Sequence, residues 1–195
     1  MLNKVTKLHW LLVAVFAILL AGCSATPGGS SSEQSVQVST TKRPAQYEYA
    51  IELMKRGQHD KAYGVFSEVL KTYSDADVYT NLAIIELKRK DFEKASENIV
   101  KSISINPKNA MSRNIKGLIM VYTGNIAEAE KDYSLAMQLA PDIPDAYLNM
   151  AILYDLYLNL PKKALPFYEK YKEVADNKAN KDIDKWIVEV QRRIQ

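Results

Sequence analysis

Few side chains in this sequence have the type and spacing for bond-making chemistry. There is one cysteine, Cys23, and there are two histidines, His9 and His59. A reactive thiolate needs a cationic or basic neighbour, and a zinc site needs several Cys, His, Asp or Glu ligands at characteristic intervals. Neither pattern occurs here, nor does a glycine-rich phosphate loop. Glu128 and Asp132 stand four apart with Lys131 beside them, which predicts a solvated, outward helix face rather than an acid–base pair. Ser30-Ser31-Ser32 is linker composition rather than a nucleophile. His59 falls in a turn and is expected to be solvated. The chain reads as non-enzymatic, with no metal, no cofactor and no small-molecule substrate.

What remains to explain is Cys23. The stretch before it has three parts: the cations Lys4 and Lys7, an unbroken apolar run from Trp10 to Leu20, and the small pair Ala21-Gly22. That is the layout of a signal peptide, spanning residues 1–22. The apolar run is too short for a permanent span, which needs about 20 residues. The ending Leu20-Ala21-Gly22-Cys23 resembles the lipobox of bacterial lipoproteins. That resemblance implies cleavage before Cys23 after a diacylglycerol is attached to its sulfur, and so a fatty-acylated, membrane-held chain. Two or more acyl chains hold a protein stably where one binds marginally. In that family a serine such as Ser24, rather than aspartate, after the cysteine goes with delivery to the outer membrane, here facing the periplasm.

Residues 23–43 then change character. They are rich in Ser, Thr, Gly and Gln, hold no aromatic residue, and cannot bury enough apolar area to offset their ordering entropy. They read as a flexible tether with an r.m.s. reach of roughly 25 Å. The formal charge of the whole chain is +3. Removing the leader with Lys4 and Lys7 leaves 24 basic and 23 acidic side chains, a net of +1. Nucleic-acid binding requires a concentrated basic face, which that balance does not supply.

Residues 44–175 repeat. Gly117 has small counterparts at Ala50, Ala83 and Ala151, and Ala129 at Ala62, Ala95 and Ala164. Tyr133 is echoed by Phe66, Ile99 and Tyr168, and Pro141 by Pro107. Each step is about 34 residues, the signature of stacked two-helix units. Small residues let two helix backbones approach, and the bulky residue fills the adjoining space. Gly57 and Gly124 suit the left-handed residue that closes a helix. Lys90 occupies the same place in repeat two; either it takes that geometry at a cost of about 1 kcal/mol or the turn differs there. The turn of repeat four, Leu158-Asn159-Leu160-Pro161, reads as one residue longer than the others. Pro161 suits the start of a helix, and Pro166 is expected to strain one. Tyr49 is expected in the core of repeat one, and Tyr147, Tyr154, Tyr168 and Tyr171 in that of repeat four, with Tyr157 free. Residues 176–195 place Ile183, Trp186, Ile187, Val190 and Ile194 on one helical stripe, as a capping helix should, with Arg192-Arg193 in water. A partner-binding helix is the alternative.

This spacing resembles the tetratricopeptide repeat, with Arg113 and Glu86 departing from its usual side chains. The resemblance implies an all-α, right-handed solenoid of about four helix-turn-helix repeats plus a C-terminal capping helix. It also implies that first helices line a concave groove. The positions that would face it are Tyr47, Ile51 and Met54; Thr80, Ile84 and Leu87; Asn114, Leu118 and Val121; and Leu148, Ile152 and Asp155. The middle row of Ile51, Ile84, Leu118 and Ile152 is wholly apolar. It is either groove or core between tightly curled repeats. Members of the family that clamp a C-terminal carboxylate do so with Lys and Asn, a set missing here. An apolar groove would receive an amphipathic helix or apolar strand from a protein partner. Lipobox, tether and repeats together imply a membrane-held adaptor for cell-envelope complexes. They are similar to the pilotin lipoproteins that assist type IV pilus secretins, though with fewer repeats. An accessory subunit of an envelope energy-transduction or cell-wall enzyme complex is a further alternative.

Overall fold

The computed structural model describes residues 42–175 and 181–195. The leader, Cys23 and all of the tether but its last two residues lie outside them. The described residues form nine α-helices and no strand. Repeat one is α1 (Ala45–Lys55) and α2 (His59–Val69), and repeat two is α3 (Ala76–Lys88) and α4 (Phe92–Ile105). Repeat three is α5 (Ala110–Tyr122) and α6 (Ile126–Leu139). Repeat four is α7 (Pro144–Ile152), a π-helical segment (Leu153–Tyr157) and α8 (Pro161–Ala175), followed by α9 (Ile183–Ile194). Each first helix packs on its own second helix, and each second helix on the next repeat. The architecture is the expected all-α, tetratricopeptide-like solenoid.

Helix starts follow from the sequence. Asp75, Asp91 and Asn109 precede α3, α4 and α5, and each side chain accepts a hydrogen bond from an otherwise unpaired backbone N–H. Pro144 opens α7, where its missing N–H costs nothing. Inside each repeat the small residues meet with no exposure at all: Ala50 and Ala62, Ala83 and Ala95, Ala151 and Ala164. In repeat three the glycine is obligatory. A β-carbon added to Gly117 would come within 2.6 Å of the Tyr133 ring, which is itself buried. Tyr47, not Tyr49, fills the core of repeat one. Tyr49 is 59% exposed, while the Tyr47 ring meets Phe66 edge-on at 5.6 Å.

The extra residue of repeat four is not in its turn. Among the described residues the left-handed ones are Gly57, Lys90, Gly124 and Asn159, with φ of 73°, 61°, 81° and 51°. The second-helix alanines Ala62, Ala95, Ala129 and Ala164 follow these by a constant five residues. From Ala50, Ala83 and Gly117 to the left-handed residue is seven residues, but from Ala151 to Asn159 it is eight. The insertion therefore lies within the first helix, which absorbs it by widening into the π segment. There the Leu158 N–H bonds the Leu153 carbonyl at 3.0 Å. The closing bond shifts likewise. It spans five residues in Gln58 to Leu53, Asp91 to Glu86 and Asn125 to Met120, and six in Leu160 to Tyr154. Pro166 lies inside α8, on its exposed side, and the helix continues through it to Ala175.

At the junction of repeats two and three the packing is polar. Thr80 of α3, Ser102 of α4 and Ser112 of α5 are buried, with their hydroxyls 2.7–2.8 Å apart. Thr80 and Ser102 also reach the Ala76 carbonyl at 2.9 and 2.8 Å. Buried hydroxyls are stable only when partnered, and this knot satisfies all three. At the far end α9 covers the last repeat through Ile183 and Val190, both buried, and Trp186 meets the Tyr168 ring edge-on at 6.2 Å. It acts as the cap that a solenoid end requires.

Candidate protein-binding face

The first helices α3, α5 and α7 are direct neighbours, so their aligned residues form one continuous face. Of the twelve groove positions, seven are half-buried: Ile84, Leu87, Leu118, Leu148 and Ile152 on this face, and Ile51 and Met54 on α1. Ile51 and Met54 also touch the core of repeat one, and Ile84 and Leu87 that of repeats two and three. The other five, Tyr47, Thr80, Asn114, Val121 and Asp155, are buried, at 2–8% exposure. Their side chains serve internal contacts. Tyr47 accepts a hydrogen bond from Asn81 at 3.1 Å and lies under the Arg43 guanidinium at 4.3 Å. Asn114 accepts one from Asn149 at 3.0 Å. Thr80 belongs to the hydroxyl knot, and Val121 to the core of the C-terminal half. Asp155 accepts from Tyr168 at 3.2 Å and pairs with Arg193.

Other charges also moved inward from where the sequence put them. Asp132 is not on an outward face. It is 4% exposed and held by Lys116 at 2.5 Å and Arg113 at 3.4 Å, whereas Glu128 does sit in water with Lys131. Glu86 is 2% exposed and pairs with Arg89, which also reaches Asp60 of repeat one at 2.6 Å. A buried carboxylate persists only with such partners. Arg193 is not merely solvated, because it joins the cap to Asp155. His59 begins α2 half-buried, and its Nδ1 is buried without a hydrogen-bond partner.

Two cavities open on the C-terminal half of the face, and Ile152 lines both. The first, about 320 Å³, lies between α5 and α7, with Leu118 and Val121 on one side and Tyr122, Tyr133 and Tyr157 around it. Burial, with Tyr157 and Tyr122 nearby, pushes the Tyr133 phenol well above the usual tyrosine range, so it stays neutral. The second, about 400 Å³, lies between the π segment and α9. Its walls are Ile152, Leu156, Tyr168, Trp186 and Val190, and it holds the Asp155–Arg193 pair and Glu189. Leu156, Tyr157 and Tyr122 are 69%, 52% and 55% exposed, an unusual density of open apolar surface. The groove pattern omitted Tyr122 and Leu156. The signal was available one position further along each helix, where Lys55 and Lys88 of the first two repeats give way to Tyr122 and Leu156.

Among the described residues no group of three or more His, Cys, Asp or Glu side chains could hold a metal ion. No described helix is long and apolar enough to cross a membrane. Four helix pairs crossing at small residues, stacked so that first helices line one face, define a tetratricopeptide-repeat fold. The family model of that repeat matches residues 76–109, which are α3, α4 and the turn beyond. Solved structures agree. The chain is similar to PilF of Pseudomonas aeruginosa, with a TM-score of 0.68 at 20% identity over 78% of this chain and 68% of that one. A thermophilic repeat protein of Thermus thermophilus gives 0.66 at 19% identity, over 76% and 81% of the two chains. YrrB, described as a repeat protein with an unusual peptide-binding site, gives 0.54 at 19% identity over 67% of each. No curated protein matches the chain.

Proposed function

We propose that this chain is a non-catalytic, membrane-anchored adaptor that gathers protein partners at the bacterial cell envelope. A fold of this class suits protein–protein interaction. The observation that carries the reading is the half-buried row of Ile51, Ile84, Leu118 and Ile152 across successive first helices. Ile51, Ile84 and Ile152 pack against the core, and all four side chains stay partly open to water, as a surface kept for an apolar partner segment does. The anchor rests on Leu20-Ala21-Gly22-Cys23, which fits acylation of Cys23 and, with Ser24, delivery to the outer membrane on its periplasmic side. A tether of about twenty residues then gives the repeats room to reach a partner. A narrower reading, that the chain assists assembly of a type IV pilus secretin as pilotin lipoproteins do, draws support from the fold it shares with PilF.

Site-specific photocrosslinking in cells from positions 84 and 118 tests the groove. Defined partners should crosslink, and Ile84→Glu with Leu118→Glu should abolish the capture while the helical circular dichroism stays. Loss of the fold instead would make the row core. Wild-type chain should partition with membranes and Cys23→Ser should not; identical partitioning would refute the anchor. A secretin left monomeric by deletion of the chain would select the pilotin reading.

A further inference from the structure

Four of the buried tyrosines spend their hydroxyls on the fold: Tyr47, Tyr73, Tyr154 and Tyr168 hydrogen-bond Asn81, Asp75, Glu130 and Asp155. Tyr133 is more deeply buried than any of these, at 1% exposure, and its hydroxyl has no hydrogen-bond partner among the described residues. A buried polar group left unpaired costs free energy and calls for an explanation. The surroundings offer one, because Tyr133 lines the cavity of about 320 Å³ between α5 and α7. Asn149 of α7 lines it too, and its side chain is only half spent. The amide N–H donates to Asn114 at 3.0 Å, while the amide oxygen accepts from no described residue. The cavity thus holds a hydroxyl that can donate or accept and a carbonyl that can only accept.

The remaining walls narrow what could meet these groups. Leu118, Val121, Ile152 and Leu153 are aliphatic, Tyr122 and Tyr157 are rings, and no lining side chain is charged. An ion would lose its hydration there and gain no counter-charge, which disfavours carboxylates and ammonium groups alike. An aliphatic side chain would shut the Tyr133 hydroxyl and the Asn149 carbonyl away from water with nothing to bond, and binding is penalised for that. A ring suits the walls, since aromatic pairs gain from offset and edge-to-face contacts. The Tyr122 ring is already held for such a contact by stacking on Phe92, with centroids 5.2 Å apart and planes inclined at 17°. A neutral ring that also carries an N–H or O–H meets every requirement. The cavity shares Leu118 and Ile152 with the apolar row, so an anchor seated in it is continuous with a segment lying along that row.

We propose that the cavity between α5 and α7 is an anchor pocket for one neutral, hydrogen-bonding aromatic side chain of the protein partner, a tyrosine or tryptophan, whose O–H or N–H bonds the Tyr133 hydroxyl. This rests on the adaptor reading and adds which kind of partner residue the surface selects.

The test uses the full chain in lipid nanodiscs and blocked glycine-serine-X-serine-glycine peptides, where X is tyrosine, tryptophan, phenylalanine, leucine or glutamate; empty nanodiscs correct for binding to lipid. Methyl NMR signals of Leu118, Val121 and Leu153 report on the cavity directly. The tyrosine peptide should bind about tenfold tighter than the phenylalanine peptide, which lacks only the hydroxyl, and the leucine and glutamate peptides should bind more weakly still. Tyr133→Phe removes a hydroxyl that bonds no described residue, so the fold stays, which circular dichroism checks. In that variant the preference for tyrosine over phenylalanine should fall to about twofold or less. Equal binding of those two peptides to the wild-type chain, a preference that survives Tyr133→Phe, or methyl signals that no peptide moves, as in a cavity that holds water only, overturns the proposal. The adaptor reading fails separately. If a cellular partner crosslinks from position 84 and no peptide enters the cavity, the pocket is wrong and the adaptor stands; if nothing crosslinks from positions 84 and 118, the adaptor falls whatever the peptides do.

Discussion

Replacing Gly117 by alanine tests the crossing on which the fold is built. Within a helix that change normally stabilises, because alanine is favoured over glycine by about 1 kcal/mol. Gly64, exposed in α2 with nothing within 4 Å of an added β-carbon, should show that gain. At Gly117 the new carbon would sit 2.6 Å from two atoms of the Tyr133 ring and 3.1 Å from a third. That ring is 1% exposed and cannot swing into water. Overpacking of this kind costs about 1–3 kcal/mol. Set against the helix gain, Gly117→Ala should lose up to about 2 kcal/mol, and should differ from Gly64→Ala by about 1–3 kcal/mol. Urea midpoints of the two variants measure this. Tyr133→Ala closes a cycle: it is severe alone, about 3–5 kcal/mol, but in its background Gly117→Ala should turn stabilising. If Gly117→Ala raises the midpoint as much as Gly64→Ala does, the ring contact is not what demands glycine, and the crossing argument fails.

Lys90→Gly should raise the thermal midpoint by about 1 kcal/mol of stability, since Lys90 has φ of 61°, while Gly124→Ala should lower it by a similar amount. Ser112→Ala removes two hydrogen bonds from the buried knot and should cost about 1–2 kcal/mol in urea unfolding; no loss would mean the knot does not hold the junction. Burial first, and then the hydrogen bond to Glu130, push the Tyr154 phenol up to about 12. Its unfolded value is about 10. The folded state therefore keeps its proton longer, and stability should fall as pH rises from about 10 to 12, with Tyr154→Phe flattening that slope. Tyrosinate absorbance follows the titration directly.

Repeat number, helix pairing and the cap were legible because they rest on residue size at fixed spacing. Ala50, Ala83, Gly117 and Ala151 are small for one reason, and that reason survives without coordinates. Side-chain direction was less legible. Tyr47 and Tyr49 sit two apart in a helix of similar residues, and only the position of Phe66 decides which ring is buried. Asp132 read as an outward side chain and Asp155 as a groove position, yet each is buried by a cation distant in sequence, Lys116 or Arg193, that no local pattern pairs with it. Glu86, read as replacing a large packing side chain, is buried and pairs with Arg89 three residues on. The candidate face was less legible. The apolar middle row is half-buried in the structure, but Trp186 and Glu189 come from the last helix, which was read as a cap, with a partner-binding helix as the alternative. Cys23, the proposed acylation site, lies outside the described residues.

The widened turn in repeat four has a consequence for how such scaffolds change length. An extra residue kept in ordinary α-helical winding would rotate everything after it by about 100° and oblige the next helix to refit. Here the surplus residue is swallowed inside Leu153–Tyr157, and Asn159, Pro161 and Ala164 resume the spacing of their counterparts as though nothing had been added. Such an edit is reversible. Deleting Leu156 alone should return the segment to ordinary α-helical winding, leave the downstream architecture standing, and remove one of the open apolar side chains. A repeat array can thus gain or shed part of its surface by single-codon steps, with its skeleton untouched.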